Sequence, residues 1–241
     1  MSTIELPTKA IKATEVNPKR LVVYAKPKTG KTTALAGLEN NLILDLEDGT
    51  DYLDALKVKI RSLDDLKEVG TKIKEAGHPY KFVSIDPVTV LEDLVGPLAI
   101  KLYRDTPMGA KFSGDNILKL ANGAGYLYLR QAFFQVLDYI DTFAKYIILS
   151  GHIIDKKLDD NGSTVSAANI DLTGKIRTMI CSTADAVGYI YRKEGKTIIS
   201  FISNDEITCG ARCEHLRNQE IVLVEQLNDG KFKYNWDKIY K

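Results

Sequence analysis

Reactive and metal-binding side chains are scarce in this chain. Its 241 residues hold three cysteines, three histidines, three methionines and one tryptophan. Three cysteines make no disulfide framework at this length, so a reducing compartment, the cytoplasm, is expected. Cys209, Cys213 and His215 form one cluster, but zinc takes four ligands from paired knuckles and Cys181 is distant in sequence, so no metal centre is expected there. An excess of either charge is also missing: 33 Lys and Arg stand against 32 Asp and Glu. Net charge therefore neither favours nor opposes nucleic acid, and any basic surface is local. No run reaches the roughly 18 apolar residues of a membrane helix, and the N-terminus lacks the apolar core of a signal peptide. No membrane partner is expected. Repeats and low-complexity tracts are missing too.

What the sequence does hold is alternation. Short apolar, β-branched runs at Leu21–Tyr24, Asn41–Leu46, Phe82–Ile85 and Tyr146–Leu149 read as buried strands. Leu56–Ile60 reads as a short strand among them. Helical spacing covers Lys31–Leu38, a segment from Ser62 to about Ala76, Val88–Tyr103 and Tyr126–Phe143. Ser62 suits an N-cap, with Asp65 at the capping-box position. Strand and helix in alternation predict a mostly parallel sheet flanked by helices. After residue 152 the pattern changes. Ile153–Leu158 and Ser163–Ile170 flank a turn at Asp159–Gly162. Hairpins are also read at 186–202 and 221–236, with a helix at Thr173–Cys181 between. The expected organisation is an arm or first strand at 1–19 and one domain at 20–241, its core at 20–152 and a hairpin-rich extension at 153–241.

Chemistry concentrates at strand ends. Ala25-Lys26-Pro27-Lys28-Thr29-Gly30-Lys31-Thr32 follows a strand and opens a helix, the context of a phosphate-binding P-loop. Backbone N–H groups from Ala25 to Thr33 and the helix dipole would converge on the phosphates of a nucleoside triphosphate such as ATP. Gly30 leaves room for the backbone to approach, Lys31 adds a charge, and the Thr32 hydroxyl suits Mg2+. The first position holds Ala25 instead of glycine, which predicts some strain. Phe82-Val83-Ser84-Ile85-Asp86 delivers Asp86 to the carboxyl edge of the sheet, where it would hold the metal through water. Asp45-Leu46-Glu47-Asp48 ends the neighbouring strand with acids. Ser150-Gly151-His152 ends another, and a neutral imidazole there could donate to a phosphate oxygen.

An acid pair at the strand end after the P-loop helix, with Pro87 where a second acid would adjoin Asp86, resembles the RecA-type ATPases more than the AAA+ class. The pattern over about residues 20–215 is similar to the short phage RecA-like single-strand annealing ATPases, the Sak group. The resemblance implies a RecA-like P-loop NTPase core of α/β class, extended by C-terminal antiparallel hairpins. It implies that Glu47 is the general base and His152 the γ-phosphate sensor. Arg212 is then the residue that reaches a neighbour's γ-phosphate, in a homo-oligomeric ring or filament. The implied role is ATP hydrolysis coupled to single-stranded DNA in phage recombination or replication, often beside a single-strand binding protein. Lys156, Lys157, Lys175 and Arg177 lie in the segment that follows His152. Lys101, Tyr103, Arg104, Lys111 and Phe112 lie in the loop after Asp86. Both segments combine cations or aromatics in a way that suits a single strand. The alternatives are an accessory P-loop ATPase, such as a helicase loader or packaging-type switch, and a nucleotide-binding protein with little turnover.

Overall fold

Strand β1 (Arg20–Ala25) is buried from Leu21 onward, and its side chains alternate between two cores. Leu21, Val23 and Ala25 pack in one apolar cluster, Val22 and Tyr24 in the other. This period of two is the signature of a strand covered on both faces. The computed structural model describes residues 6–155, 157–158 and 164–241. Residues 6–16 are exposed throughout and carry no helix or strand, so this stretch is an arm leading to β1.

Helix α1 (Lys31–Ala36) follows β1, and β2 (Asn41–Asp45) comes next. β3 (Leu56–Lys59) is a parallel edge strand on β2. Helix α2 (Leu63–Glu75) opens with the full capping box: Asp65 N–H donates to the Ser62 hydroxyl, and the Asp65 carboxylate accepts from Ser62 N–H. β4 (Phe82–Asp86) is buried along its length and ends in a cis Asp86–Pro87 peptide. The expected helix at 88–103 is two helices, α3 (Val88–Leu94) and α4 (Gly96–Arg104). Pro97 sits in the first turn of α4, where its missing N–H costs least, and marks the restart. Helix α5 (Gly125–Ile140) leads to β5 (Tyr146–Ile154), which runs through His152.

Beyond β5, β6 (Lys157–Leu158) pairs antiparallel with β7 (Thr164–Ser166), and β8 (Asn169–Ile170) folds back on β5. The predicted turn at 159–162 lies outside the described residues. Helix α6 (Gly174–Thr183) then crosses to β9 (Ala186–Lys193). β10 (Lys196–Ser200), β11 (Gly210–Ala211), β12 (Glu220–Gln226) and β13 (Phe232–Tyr234) complete the chain with a last 3-10 turn at Trp236–Lys238.

The sheet order is β13-β12-β10-β9-β1-β5-β4-β2-β3. It is a mostly parallel mixed sheet. β9 pairs parallel with β1, so the parallel portion reaches past residue 152 to residue 193, and the antiparallel extension starts only at β10. α2 to α6 cover one face, and α1 with the C-terminal 3-10 turn covers the other. Each fully buried Leu, Ile or Val contributes about 1.5–3 kcal/mol against the entropy of ordering the chain. No described helix is long and apolar enough to cross a membrane.

Candidate functional site

Parallel register sets the site. Ala25 lies opposite His152 across β1 and β5, and Asp45 lies opposite Asp86 across β2 and β4. Four parallel strands thus bring their carboxyl ends to one edge of the sheet. This is the carboxyl edge, where ligands bind in open α/β sheets.

The loop after β1 holds its shape through backbone turns. Lys28 has φ 62° and Gly30 has φ 95°, both left-handed. The Thr29 hydroxyl donates to the Lys26 carbonyl at 2.8 Å. Ala25 belongs to the extended strand and is not among the positive-φ residues, so the strain expected from its Cβ is not there. Gly30 is required on two counts. A Cβ would be strained at its φ and would sit 3.1 Å from the Thr197 hydroxyl. No side chain caps the N-terminus of α1.

Lys31 is buried to 8% exposure, and its Nζ approaches the Ala25 carbonyl at 3.4 Å. It has no ion pair with a carboxylate among the described residues. Burial depresses its pKa, and the charges of Asp86 and Glu47 oppose that shift only in part. A desolvated ammonium with one long hydrogen bond is a cation prepared for an anion.

Beside it, the Thr32 hydroxyl donates to Asp86 Oδ2 at 2.5 Å. Ser150 donates to Asp86 Oδ1 at 2.6 Å. Asp86 is therefore clamped from both sides, by the loop and by the strand between β1 and β4. Ser150 is fully buried. Its sequence context gave no role, since a serine inside an apolar strand signals nothing until the strand order sets it against the acid. Thr32 and Asp86 supply a neutral oxygen and a carboxylate, hard donors that fit Mg2+. The buried Lys31 fits the phosphates of a nucleotide, so the residues present suit both groups.

Glu47 leaves the end of β2 on a tight turn. Asp45, 1% exposed, organises it. Its carboxylate accepts from Glu47 N–H at 3.1 Å, Gly49 N–H at 3.2 Å and Thr50 N–H at 2.9 Å, as well as from the Thr50 hydroxyl. Burial pushes the Asp45 pKa up, but these donors outweigh it and hold the group below the usual carboxylate range. Gly49 is brought against Thr32; a Cβ on it would lie 3.5 Å from the Thr32 hydroxyl. The Glu47 carboxylate meets His152 Nε2 at 2.9 and 3.2 Å. His152 Nδ1 is buried without a partner among the described residues. Glu47 and His152 lie 105 residues apart in the sequence, and the fold puts them in contact.

The cleft beyond this pair has a volume of about 380 Å3. Glu92, Asp93 and Asp171 line it with Glu47, against the single guanidinium of Arg177. Burial raises the pKa of Glu92, whose carboxylate accepts from Thr173 N–H. Arg177 itself donates to the Leu172 carbonyl at 3.0 Å. Lys175 is exposed on the first turn of α6. Lys157 pairs through its backbone with Ser166, and Lys156 lies outside the described residues. Tyr103 and Phe112 pack edge-on against each other at 5.4 Å, and Arg104 is bonded to the Phe112 carbonyl at 2.8 Å. Both rings are partly buried against the apolar core.

Arg212 is far from its own phosphate loop. Its N–H donates to the Asp185 carbonyl, and its guanidinium bonds the Ser182 carbonyl and lies 3.8 Å from the Asp185 carboxylate. Asp185 neighbours Arg20, at the start of β1. The loop begins five strand residues away, about 17 Å.

A search of the curated proteins finds no match. Among solved structures, a KaiC-like protein, PH0186 from Pyrococcus horikoshii OT3, aligns at a TM-score of 0.47 and 12% identity, covering 90% of this chain and 88% of that one. The RadB recombinase aligns at a TM-score of 0.43 and 10% identity, covering 89% and 90%. The AAA_24 family, described as an AAA domain, matches residues 17–213. That span takes in the phosphate loop, Glu47, Asp86 and His152, and on this match the chain belongs to the AAA_24 family of AAA domains.

Proposed function

We propose that this protein is a magnesium-dependent ATPase of RecA-like type that acts on single-stranded DNA in phage recombination or replication. The observation that carries the ATPase reading is the buried Lys31 ammonium, lacking a carboxylate partner among the described residues, beside the clamped Thr32–Asp86 pair. Thr32 and Asp86 are the residues that would hold Mg2+. The metal, when bound, offsets charge on the phosphate oxygens during phosphoryl transfer.

The remaining work falls to side chains of this chain. Lys31 neutralises the phosphates that the loop N–H groups orient. Glu47 accepts a proton from the attacking water as its oxygen bonds to the γ-phosphorus and the β–γ bridge breaks. Asp45 holds the turn that carries Glu47. His152 positions the Glu47 carboxylate through Nε2. Positioning and electrostatics supply the catalysis. An acid at the end of β2, with Pro87 after Asp86, supports the RecA-like assignment of the base over the AAA+ one. In this reading Arg212 acts across a subunit boundary in a ring or filament, since its own loop is out of reach.

The cleft beside Glu47 is lined mainly by carboxylates and repels a phosphate backbone. A second cleft, lined by Tyr126, Arg130 and Lys175, joins two cations to an exposed aromatic ring, as a single strand requires.

The test is ATP turnover by the purified protein with and without an oligonucleotide, for wild type, Lys31→Ala, Glu47→Gln and the Arg130→Ala/Lys175→Ala pair. Lys31→Ala should abolish turnover, and Glu47→Gln should bind ATP but lose at least 100-fold in rate, the general-base contribution. The paired variant should keep basal turnover and lose stimulation by DNA. Wild-type turnover in Lys31→Ala would sink the site. Stimulation by a protein partner and not by DNA would favour the accessory-ATPase reading.

A further inference from the structure

We infer that the β9–β10 hairpin forms a nucleoside subsite, with Arg192 contacting the base end of the triphosphate. This rests on the proposed nucleotide site and extends it. The groups suited to metal, water and γ-phosphate all lie on one flank of β1: Ser150 and His152 on β5, Asp86 on β4, and Glu47 after β2. A triphosphate is a linear chain. With its terminal phosphate on that flank, its nucleoside end leaves the loop on the other, over β9 and β10.

That flank is already built against the loop. Thr197 on β10 is 5% exposed, and its hydroxyl donates to the Thr29 carbonyl at 3.4 Å. Arg192 lies directly opposite Thr197 on β9. Two residues earlier, Ile190 pairs with Ala25 and belongs to the cluster on the α1 face. Strand alternation therefore puts Arg192 on the same face as the loop and helix α1, one step past the point where β1 gives way to the loop. The tight turn at Glu194 and Gly195, both at positive φ, carries the hairpin beyond the sheet edge. Arg192 is exposed, and its guanidinium makes one hydrogen bond, to the Gly195 carbonyl at 3.3 Å. Among the described residues no carboxylate neutralises this cation. A planar guanidinium can lie flat on a heteroaromatic ring while its fixed fork of N–H groups donates to polar groups beside it; a lysine ammonium has no plane to stack.

The experiment measures affinity for ATP and for inorganic tripolyphosphate, calorimetrically, in wild type, Arg192→Ala, Arg192→Lys and Lys31→Ala, with melting temperatures as the folding control. Arg192→Ala and Arg192→Lys should each bind ATP about tenfold more weakly, with tripolyphosphate affinity unchanged. Lys31→Ala should lose both ligands. ATP affinity equal to wild type in Arg192→Ala would overturn the subsite. So would an equal loss for tripolyphosphate, or full rescue by lysine, since either makes Arg192 a phosphate contact. If wild type binds neither ligand, the nucleotide site itself falls.

Discussion

Lys31 and Asp45 are both buried charges, and they behave in opposite ways because of their partners. Lys31 has one weak backbone acceptor, so burial works against its charged form. A lysine whose folded pKa lies below its unfolded one destabilises the fold wherever it is charged, and that cost fades as pH rises through the folded pKa. Lys31→Met keeps the volume and removes the charge. We expect it to bind no ATP and to melt roughly 2–4 °C above the nucleotide-free wild type, about 1 kcal/mol; differential scanning calorimetry checks this. Asp45 is the reverse case. Its folded pKa is depressed by the donors of residues 47, 49 and 50, so its contribution is full above the unfolded value of about 4 and is lost as pH falls through the folded one. Asp45→Asn turns an amide N–H toward those donors and should cost about 1–3 kcal/mol near neutral pH. The gap between the two proteins should close as pH falls below about 4, measured by urea unfolding. A gap independent of pH would mean that the charge of Asp45 does not matter.

At the scale of elements, one close backbone contact lies at the start of α5. Gly125 packs against the 3-10 turn at Ile117–Lys119, and a Cβ on it would come within 1.9 Å of the Ile117 carbonyl oxygen. Backbone cannot yield as a side chain does, so Gly125→Ala should destabilise by about 1–3 kcal/mol or more, with C-terminal α5 contacts intact, as thermal melts would record. The elements themselves differ in how far the sequence reveals them. β1, β2 and β4 are legible because β-branched runs buried on both faces leave no other reading, and Asp86 is legible as the acid that ends one of them. The break between α3 and α4 is written in Gly96-Pro97, yet an apolar spacing that continues across it reads as one helix. Ser150 and Thr197 are invisible for a different reason. Each is a small hydroxyl residue whose meaning comes from a strand neighbour, 64 residues away for Ser150 and Asp86 and 168 for Thr197 and Thr29. The Glu47–His152 contact spans 105 residues and depends on strand order in the same way.

For the whole molecule, the place of β9 decides how the chain holds together. A strand from the last quarter of the sequence sits directly against β1, between it and the antiparallel extension. The residues after 152 are therefore no appendage: they cover one side of the strand that feeds the phosphate loop. Calorimetry of the full chain should give one unfolding transition with equal calorimetric and van't Hoff enthalpies. Two separated transitions would show the extension to be an independent unit.

The C-terminal turn closes on the same helix from above. Trp236 donates its indole N–H to the Ala34 carbonyl at 2.8 Å, two residues after Thr32 in the chain. It is also the only tryptophan in the protein. The molecule therefore carries its own optical probe at the back of the phosphate loop, and any ligand that shifts α1 should change the emission of a single, already assigned fluorophore.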